Sequence, residues 1–259
     1  MNLKSILITG ATSGIGRSTA IRFAREGYQL ILTGRRLERL QALKTQLEQD
    51  FNSTVQILCF DVRNLDAVKE NIANIDRTVF KHIDVLVNNA GLASGLGPID
   101  EGQYADWDVM IDTNVKGLLY VTREVIPLLK EQGFGHIVNI SSQAAKDVYL
   151  NGNVYCATKH AVDALNRSMR IDLLPHGIKV TAINPGAVET EFSLVRFKGD
   201  AERAKSVYEG FTPLSPDDIA DVIYYTASLP PHMCINDVTL TCITQANGIY
   251  NTKMLKKLS

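Results

Sequence analysis

A tyrosine and a lysine, Tyr155 and Lys159, lie four residues apart in the stretch NVYCATKHA. In a helix, positions i and i+4 lie one above the other on the same face, so the phenol and the ammonium can reach a shared object. A nearby ammonium favours phenolate and lowers the pKa of a phenol from its usual value of about 10. Such a pair suits proton transfer to or from a substrate oxygen, although an ordinary helix surface can carry the same two residues.

A glycine-rich turn, TGATSGIG, follows the first apolar run and precedes a helical pattern. Glycines there permit a tight turn, let backbone N–H groups approach a pyrophosphate, and direct the helix N-terminus at negative charge. The spacing is not GxGxxG, but the order of strand, loop and helix predicts a dinucleotide-binding turn. The expected contacts are Gly10, Thr12, Ser13, Gly14, Ile15 and Gly16.

The second apolar run ends in LTGRR, where a NAD-selective fold usually places an Asp or Glu on the ribose hydroxyls. Arg35 and Arg36 stand there instead, and guanidinium groups suit a 2′-phosphate through bidentate, charge-assisted hydrogen bonds. This predicts NADP rather than NAD. Arg35 carries more weight, because Arg36 could instead begin the next helix and pair with Glu38 or a neighbour. Arg17 either adds charge near the same phosphate or belongs to a helix surface.

Short apolar, β-branched runs alternate with longer amphipathic stretches along the whole chain. Most are continuously apolar at their centres, as strands buried on both faces should be. Such alternation implies right-handed crossovers and an α/β, single-domain, doubly wound Rossmann fold: a parallel seven-stranded sheet with helices on both faces. The runs are 5–9, 29–33, 55–60, 84–88, 136–141, 179–184 and 237–241.

Length and composition narrow the class further. The 259 residues suffice for one α/β domain spanning 1–259, and a net charge of -1 gives no positive field to gather nucleic acid or an anionic membrane. Four cysteines without a CxxC pair indicate no metal site and no disulfide framework, which fits the cytoplasm. The partners we expect are a small-molecule substrate and copies of the same chain. The basic tail KMLKKLS is interpreted as a solvated terminus.

One segment departs from the alternation. From about 187 to 213 there is little strand pattern, and Phe192, Phe197 and Phe211 are mixed with charges directly after a strand end. A substrate lid would be useful at that position. The alternative is an ordinary surface excursion.

Together these motifs resemble the short-chain dehydrogenase/reductase family, in the expected order over nearly the whole chain. The elements are TGATSGIG, Asp61, NNAG at 88–91, Asn114, Ser142, YCATK at 155–159 and PG at 185–186. Segments 91–98, 107–118, 152–159 and above all TEFSLVRFKGD at 190–200 are similar to NADP-dependent 3-hydroxy acid dehydrogenases, also described as serine or L-allo-threonine dehydrogenases.

The resemblance implies catalytic roles. Tyr155 would be the acid or base, Lys159 its activating cation and a ligand of the nicotinamide ribose, and Ser142 the partner of the substrate oxygen. Strand alternation turns either Ser141 or Ser142 into the site, and the family spacing from Tyr155 selects Ser142. Asn114 would anchor a water leading from Lys159, unless it bonds backbone inside its helix.

The same resemblance implies the remaining cofactor contacts. Asp61 would bind the adenine, unless it caps the helix beginning near Leu65, and PG could equally be a plain turn. The full set adds Asp61, Val62, Asn88, Ala90, Gly91, Tyr155, Lys159, Pro185, Gly186, Val188 and Thr190 to the phosphate loop and the two arginines.

A 3-hydroxy acid brings a carboxylate that needs a cationic partner. Arg196 is the candidate and Lys198 the second, with subunit contacts or surface ion pairs as the alternative. Tyr149 and the 93–97 loop would shape the pocket wall. With Ser142 and Tyr155, Arg196 completes the predicted substrate contacts.

Three functions remain open. The first is an NADP-dependent dehydrogenase of short 3-hydroxy acids, and the second is a broad NADPH-dependent carbonyl reductase, indicated by the apolar Leu92, Leu96, Phe192 and Phe211. The third is a non-catalytic NADP-binding sensor, which would commonly have lost catalytic residues that are present here. The resemblance also implies a homo-oligomer, a tetramer or dimer, for which VDALNRSMRIDLL offers apolar residues that could equally be core.

Overall fold

The computed structural model describes residues 3–252, so the tail KMLKKLS lies outside the described residues. Seven strands form one sheet in the order β3-β2-β1-β4-β5-β6-β7, and every neighbouring pair is parallel. The predicted fold class is confirmed. The strands are β1 (Ser5–Ile8), β2 (Gln29–Gly34), β3 (Val55–Cys59), β4 (Val85–Asn88), β5 (Gly135–Ile140), β6 (Ile178–Pro185) and β7 (Asp237–Leu240).

The helices cover both faces of the sheet over two separate cores. One core joins the sheet to α3 (Leu65–Ala73), α5 (Leu118–Gln132) and α6 (Asn153–Leu173). The other joins it to α1 (Gly14–Arg25), α2 (Leu37–Phe51) and α9 (Pro216–Ser228). The central strands are buried on both faces, whereas the edge strand β7 alternates between exposed and half-buried residues.

The strand order reverses between β1 and β4, which both lie in the middle of the sheet. In open parallel sheets a crevice forms at this switch point, outside the carboxyl ends of the strands. The glycine-rich turn leaves β1 there, and the NNAG stretch leaves β4 beside it, with the Thr9 backbone N–H donating to the Val87 carbonyl at 3.0 Å. The fold therefore brings both motifs to one edge.

The stretch WDVMIDTNVKGLL is not one uninterrupted α-helix. α4 (Tyr104–Ile111) passes through a π-helical turn, Asp112–Gly117, before α5 begins. At the end of that turn a side chain on Gly117 would lie 2.6 Å from Val62 Cγ2, so the backbone approaches the loop after β3 as only glycine allows. A single π turn inside an α-helix often occurs at a functional site.

The segment 187–213 contains two short helices, α7 (Phe192–Arg196) and α8 (Ala201–Ser206). A single parallel bridge joins Val188 to Leu214 and closes the segment at its base. The Tyr208 hydroxyl ties α8 back to the start of the segment by donating to the Val188 carbonyl at 2.9 Å. Across residues 3–252, no helix is long and apolar enough to cross a membrane.

Candidate active site

A cavity of about 520 Å³ opens at the carboxyl edge of the sheet, where β1 and β4 meet. It is bounded by the glycine-rich loop, the ends of β2, β5 and β6, and the 187–213 segment. Most of the predicted cofactor and substrate residues line it. They are Gly10, Thr12, Ser13, Gly14, Ile15, Arg35, Arg36, Asp61, Val62, Ala90, Gly91, Ser142, Tyr155, Lys159, Pro185, Gly186, Val188, Thr190 and Arg196.

The glycine-rich loop is shaped by close backbone contacts. Gly10 and Gly14 have φ values of +68° and +50°, in the left-handed region that side chains disfavour. A side chain on Gly16 would strike the Gly10 carbonyl oxygen and approach Asn89 Nδ2 to 2.5 Å. Gly16 therefore lies behind the cavity and sets the packing of α1 against the loop. Gly14 and Ile15, at the start of α1, line the cavity, and the first N–H groups of a helix lack partners within it and suit a pyrophosphate.

Arg36 lies across this loop. Its Nη2 donates to Thr12 Oγ1 and Ser13 Oγ, both at 2.8 Å, and its Nη1 lies 3.0 Å from Glu191 Oε2. Arg36 immediately precedes α2, as the alternative interpretation expected, but its acidic partner is Glu191 rather than Glu38. Arg35 lies 3.7 Å from Asp61 Oδ2 and is more exposed. Both arginines line the cavity, but Arg36, rather than the favoured Arg35, binds the glycine-rich loop.

The other two charged residues near this end of the cavity have resolved partners. Arg17 donates to Gln46 at 2.8 Å on the surface between α1 and α2. Asp61 accepts from Arg63 at 2.7 Å, and although burial raises the pKa of Asp61, the Arg63 bonds and the Arg35 charge outweigh that effect and lower it. Asn64, not Asp61, caps α3 by accepting from the Ala67 N–H at 3.1 Å.

Asn88 points away from the cavity. It ends β4 with its side chain buried in the sheet, where Nδ2 donates to Thr122 Oγ1 and Asn139 Oδ1, both at 2.9 Å. The next residue, Asn89, lines the cavity and donates to the carbonyls of Thr9 and Gly10. The prediction placed Asn88 at the cofactor, whereas the residue that lines the cavity is one position later, because successive strand residues face opposite ways.

The catalytic candidates come together where β5 and α6 approach each other. Lys159 Nζ donates to the Ile140 carbonyl at 2.9 Å and lies 5.9 Å from the centre of the Tyr155 ring. Both side chains are buried, at 6% and 9% exposure. Burial lowers the pKa of Lys159 to about 8. One helical face thus carries both groups beside the cavity.

Burial of Tyr155 favours the protonated phenol, whereas the neighbouring Lys159 had predicted a lowered pKa. Burial raises the pKa of Tyr155 to about 12, with a smaller push from Tyr149, while the Ser142 hydroxyl and the Arg196 charge act in the opposite direction. Ser142 also accepts from the Ala144 N–H at 3.0 Å, which fixes its hydroxyl. Ser141 lines the cavity too, but its buried hydroxyl has no hydrogen-bond partner among the described residues.

Asn114 belongs to the π-helical turn and is fully bonded. Its Oδ1 accepts from the Leu92 N–H, and its Nδ2 donates to the Leu92 carbonyl, both at 2.8 Å. A third bond reaches Thr158 Oγ1 on α6 at 3.1 Å. Gly91 separates it from Lys159: a side chain there would lie 3.3 Å from Asn114 Oδ1 and 3.6 Å from Lys159 Nζ. Asn114 joins three elements beside the lysine, and its role in a water path stays a prediction.

Arg196 ends α7 inside a cluster of aromatic rings. Its guanidinium carbon lies 4.9 Å from the centre of the Tyr155 ring and 5.3 Å from that of Phe192, and Nη2 donates to the Tyr149 hydroxyl at 2.5 Å. Within residues 3–252 no carboxylate lies within 4.0 Å of this guanidinium, and its buried Nε has no hydrogen-bond partner. Lys198, the second candidate, instead pairs with Asp106 at 2.9 Å.

Comparisons with known proteins identify the family of this chain. Residues 4–200 match the model of the short chain dehydrogenase family. The chain belongs to the short-chain dehydrogenase family. It is 48% identical over 242 residues to the NADP-dependent 3-hydroxy acid dehydrogenase YdfG of Salmonella typhi, which covers 93% of this chain and 96% of that protein. It is also 45% identical to the serine 3-dehydrogenase of Agrobacterium fabrum, covering 93% of this chain and 95% of that one.

A solved structure gives the same picture. The closed form of a serine dehydrogenase complexed with NADP+ superposes with a TM-score of 0.89 at 43% identity, over 96% of this chain and 98% of that chain. The predicted membership of the short-chain dehydrogenase family is confirmed, and with it the prediction of an enzyme.

This short-chain dehydrogenase has cavity residues that the sequence analysis did not select. Gln245 and Gly248 follow β7, and Gln245 accepts from the Ala187 N–H at 2.9 Å. Glu191, Gln143 and Tyr208 line the cavity as well. Glu191 adjoins the selected Thr190, and Gln143 follows Ser142, so adjacency was a usable signal for those two. For Gln245 and Gly248, which follow β7, the sequence carried no such signal.

A second cavity, of about 240 Å³, adjoins the first. Tyr155 and Arg196 line both cavities and form part of the wall between them. The 94–97 stretch, part of the loop predicted to shape the pocket, lines this second space together with Asp106 and Trp107.

Proposed function

We propose that this short-chain dehydrogenase transfers a hydride between NADP(H) and the β-hydroxyl or carbonyl of short 3-hydroxy acids such as serine, L-allo-threonine and 3-hydroxyisobutyrate. The observation that carries the substrate class is the Arg196 guanidinium, which faces the catalytic tyrosine without an acidic partner in the described chain. A cation left unpaired beside the reaction centre suits a substrate carboxylate. The named 3-hydroxy acid and serine dehydrogenases support the same class.

The cavity fits a nicotinamide dinucleotide with a 2′-phosphate. The two left-handed glycines and the start of α1 leave backbone donors for a pyrophosphate, and Arg36 lies beside Thr12 and Ser13 at the end of β2. When bound, NADP(H) supplies or accepts the hydride. The NADP named with the relatives and with the solved neighbour supports this choice of cofactor.

The residues of the chain then handle the proton and the developing charge. Ser142 and Tyr155 would both face the substrate oxygen, with Tyr155 donating a proton during carbonyl reduction and accepting one during oxidation. In the oxidation direction the Lys159 ammonium would favour phenolate against the burial that raises the pKa of Tyr155, and its bond to the Ile140 carbonyl fixes its position. The Tyr155 and Lys159 side chains are buried, which strengthens their electrostatic interaction.

Arg196→Gln tests the substrate class. We expect KM for 3-hydroxyisobutyrate and L-serine to rise about 10- to 100-fold, because a charge-assisted contact to the carboxylate is lost. KM for 2-propanol should change little. Lys198→Gln, two residues away and paired with Asp106, is the matched control. Initial rates of NADPH formation give KM for the acids and for 2-propanol in both variants. Equal loss on acid and alcohol, or no loss on the acid, contradicts the proposal.

A broad NADPH-dependent carbonyl reductase is the second candidate. It is favoured by the apolar lining that Leu92, Phe192 and Phe211 give the cavity, and by the aromatic rings around Arg196. Aliphatic ketones reduced faster than the semialdehydes of the 3-hydroxy acids would select it. A protein that binds NADPH but turns over neither class would be the non-catalytic sensor.

We also propose that the 187–213 segment is a substrate lid, which is supported by the position of α7 and of Val207, Tyr208 and Phe211 in the cavity lining. Backbone amides there should exchange hydrogen more slowly when cofactor and substrate are both bound. Unchanged exchange contradicts a lid.

A homo-oligomer, a dimer or tetramer, is proposed from Ile171 and Leu174, which are 74% and 76% exposed at the end of α6. Light scattering with size-exclusion chromatography tests it, and a monomer at micromolar concentration contradicts it.

We propose a cytoplasmic location, consistent with four free cysteines, and cell fractionation tests that.

A further inference from the structure

Glu191 binds two arginines at the cofactor-phosphate end of the cavity. Its Oε2 lies 3.0 Å from Arg36 Nη1, and its Oε1 lies 2.7 Å from Arg39 Nη1. The two arginines are at the start of α2, and Glu191 directly precedes α7, more than 150 residues further along the chain. This carboxylate therefore links the 187–213 segment to the proposed 2′-phosphate site.

The two arginines differ in what they face. Arg36 and Glu191 line the cavity, whereas Arg39 does not. Arg36 also binds the phosphate-loop hydroxyls of Thr12 and Ser13. Arg39 has no other acidic partner in the described chain. Glu191 thus lies between a guanidinium on the cavity side and one on the outer side.

A carboxylate and a phosphate compete for the same guanidinium geometry, and a dianionic phosphate is the stronger acceptor. The side chains of Arg36, Arg39 and Glu191 are between 41% and 48% exposed. Their ion pairs are therefore solvent-exposed and can exchange partners. We propose that Glu191 competes with the 2′-phosphate of NADP for Arg36, and that Arg39 retains Glu191 when the phosphate takes its place. The inference rests on the proposed cofactor but on no step of catalysis.

Glu191→Gln tests the competition. Calorimetric titration with adenosine 2′,5′-bisphosphate, beside adenosine 5′-monophosphate, isolates the 2′-phosphate from the nicotinamide. We expect Kd for the bisphosphate to fall about three- to tenfold, because the exposed ion pair of Glu191 with Arg36 no longer opposes binding, while Kd for the monophosphate stays the same. Glu189→Gln removes an equal charge two residues away and serves as the control. Weaker or unchanged bisphosphate binding, or equal tightening of both nucleotides, overturns the competition.

Arg39→Gln tests the retention. With Glu191 present, loss of Arg39 leaves the carboxylate wholly to Arg36, so bisphosphate binding should weaken about threefold or more. In the Glu191→Gln background the same change should have little effect. An equal effect in both backgrounds means that Arg39 acts on the phosphate directly and overturns the retention. A wild-type protein that binds both nucleotides equally well would contradict the proposed NADP preference itself, before Glu191 is considered.

Discussion

The two working regions of this cavity are built in opposite ways. Tyr155 and Lys159 are almost fully buried, and Lys159 is held by a backbone carbonyl. Arg35, Arg36 and Glu191 are between 41% and 56% exposed; Arg36 pairs with Glu191, and Arg35 lies near Asp61. Proton transfer needs groups that stay fixed to within a fraction of an ångström, whereas recognition of a charged cofactor needs groups that can exchange partners.

The same contrast appears in the pKa values. Burial dominates the shifts of Tyr155 and Lys159, to about 12 and about 8. At the exposed rim, hydrogen bonds from Arg39 and Arg36 outweigh burial and hold the pKa of Glu191 below its usual value. Burial therefore dominates the pKa shifts of Tyr155 and Lys159, whereas hydrogen bonds to arginines dominate that of Glu191.

The largest expected effect comes from the buried region. Tyr155→Phe should lower kcat about 1000-fold, because the proton donor is lost while the ring and its packing remain. Initial rates of NADPH formation measure it, and Tyr225→Phe, at an exposed position on α9, is the control. Retention of more than about a tenth of the activity would contradict the role of the phenol.

His136 is also a buried titratable group, but we expect its burial to affect stability rather than catalysis. His136 lies in β5 with Nε2 2.7 Å from Thr181 Oγ1, and its Nδ1 has no partner among the described residues. Burial, with a smaller contribution from Lys179, lowers the pKa of His136 from 6.5 to about 3. The unfolded chain binds a proton in this range and the folded one does not, so stability falls as pH drops from 6.5 towards 3.

His136→Gln should remove that dependence, on the order of 3 kcal/mol by about pH 4, because glutamine stays neutral. Urea unfolding near neutral pH and near pH 4 measures the free energy of unfolding. His232→Gln, on an exposed residue, should leave the acid loss intact. An unchanged acid loss in His136→Gln would show that other groups carry it.

Gly16→Ala tests the close packing of α1 against the glycine-rich loop. The new methyl group would meet the Gly10 carbonyl and lie 2.5 Å from Asn89 Nδ2, so the loop must shift. We expect a loss of about 1–3 kcal/mol in stability and weaker binding of adenosine 2′,5′-bisphosphate. Gly97→Ala, where nothing lies within 4 Å, is the matched control. Normal nucleotide binding with normal stability would show that this contact yields easily.

The smallest effect belongs to the exposed rim. Arg63→Gln breaks the 2.7 Å pair with Asp61, yet both side chains are partly exposed and Arg35 remains near the same carboxylate. The free energy of unfolding should fall by less than about 1 kcal/mol. A loss well above that value in urea unfolding would mean that the rim is as rigid as the buried region, and would remove the contrast.

Most of the fold was predictable because its signals are local. Seven apolar runs gave seven strands, and the motifs at their ends meet at one edge because parallel strands share a carboxyl side. That Tyr155 and Lys159 share one helical face follows from their spacing, whereas their catalytic roles are implied by the family resemblance. These predictions needed only the period of the element and the direction of the chain.

The remaining features depend on contacts between distant segments. The pairs of Glu191 with Arg36 and Arg39 span more than 150 positions, and no periodicity encodes them. The burial of Asn88 rather than Asn89 depends on where β4 ends, which sequence patterns fix only to within a few residues. The absence of an acidic partner for Arg196 in the described chain is a property of the whole surrounding pocket.

The π-helical turn has a consequence for insertions and deletions. α4 places Met110 against the cluster around Tyr155, whereas α5 places Leu118 and Val121 in the core under the sheet. Each residue of an α-helix turns the chain by about 100°, so deleting one residue within 112–117 would rotate one of these faces away from its core. The π-helical turn thus sets the rotation of α5 relative to α4, so that each helix presents its apolar residues to its own core. We therefore expect its length to tolerate no change, although a substitution of Lys116, the exposed residue of the turn, should be harmless.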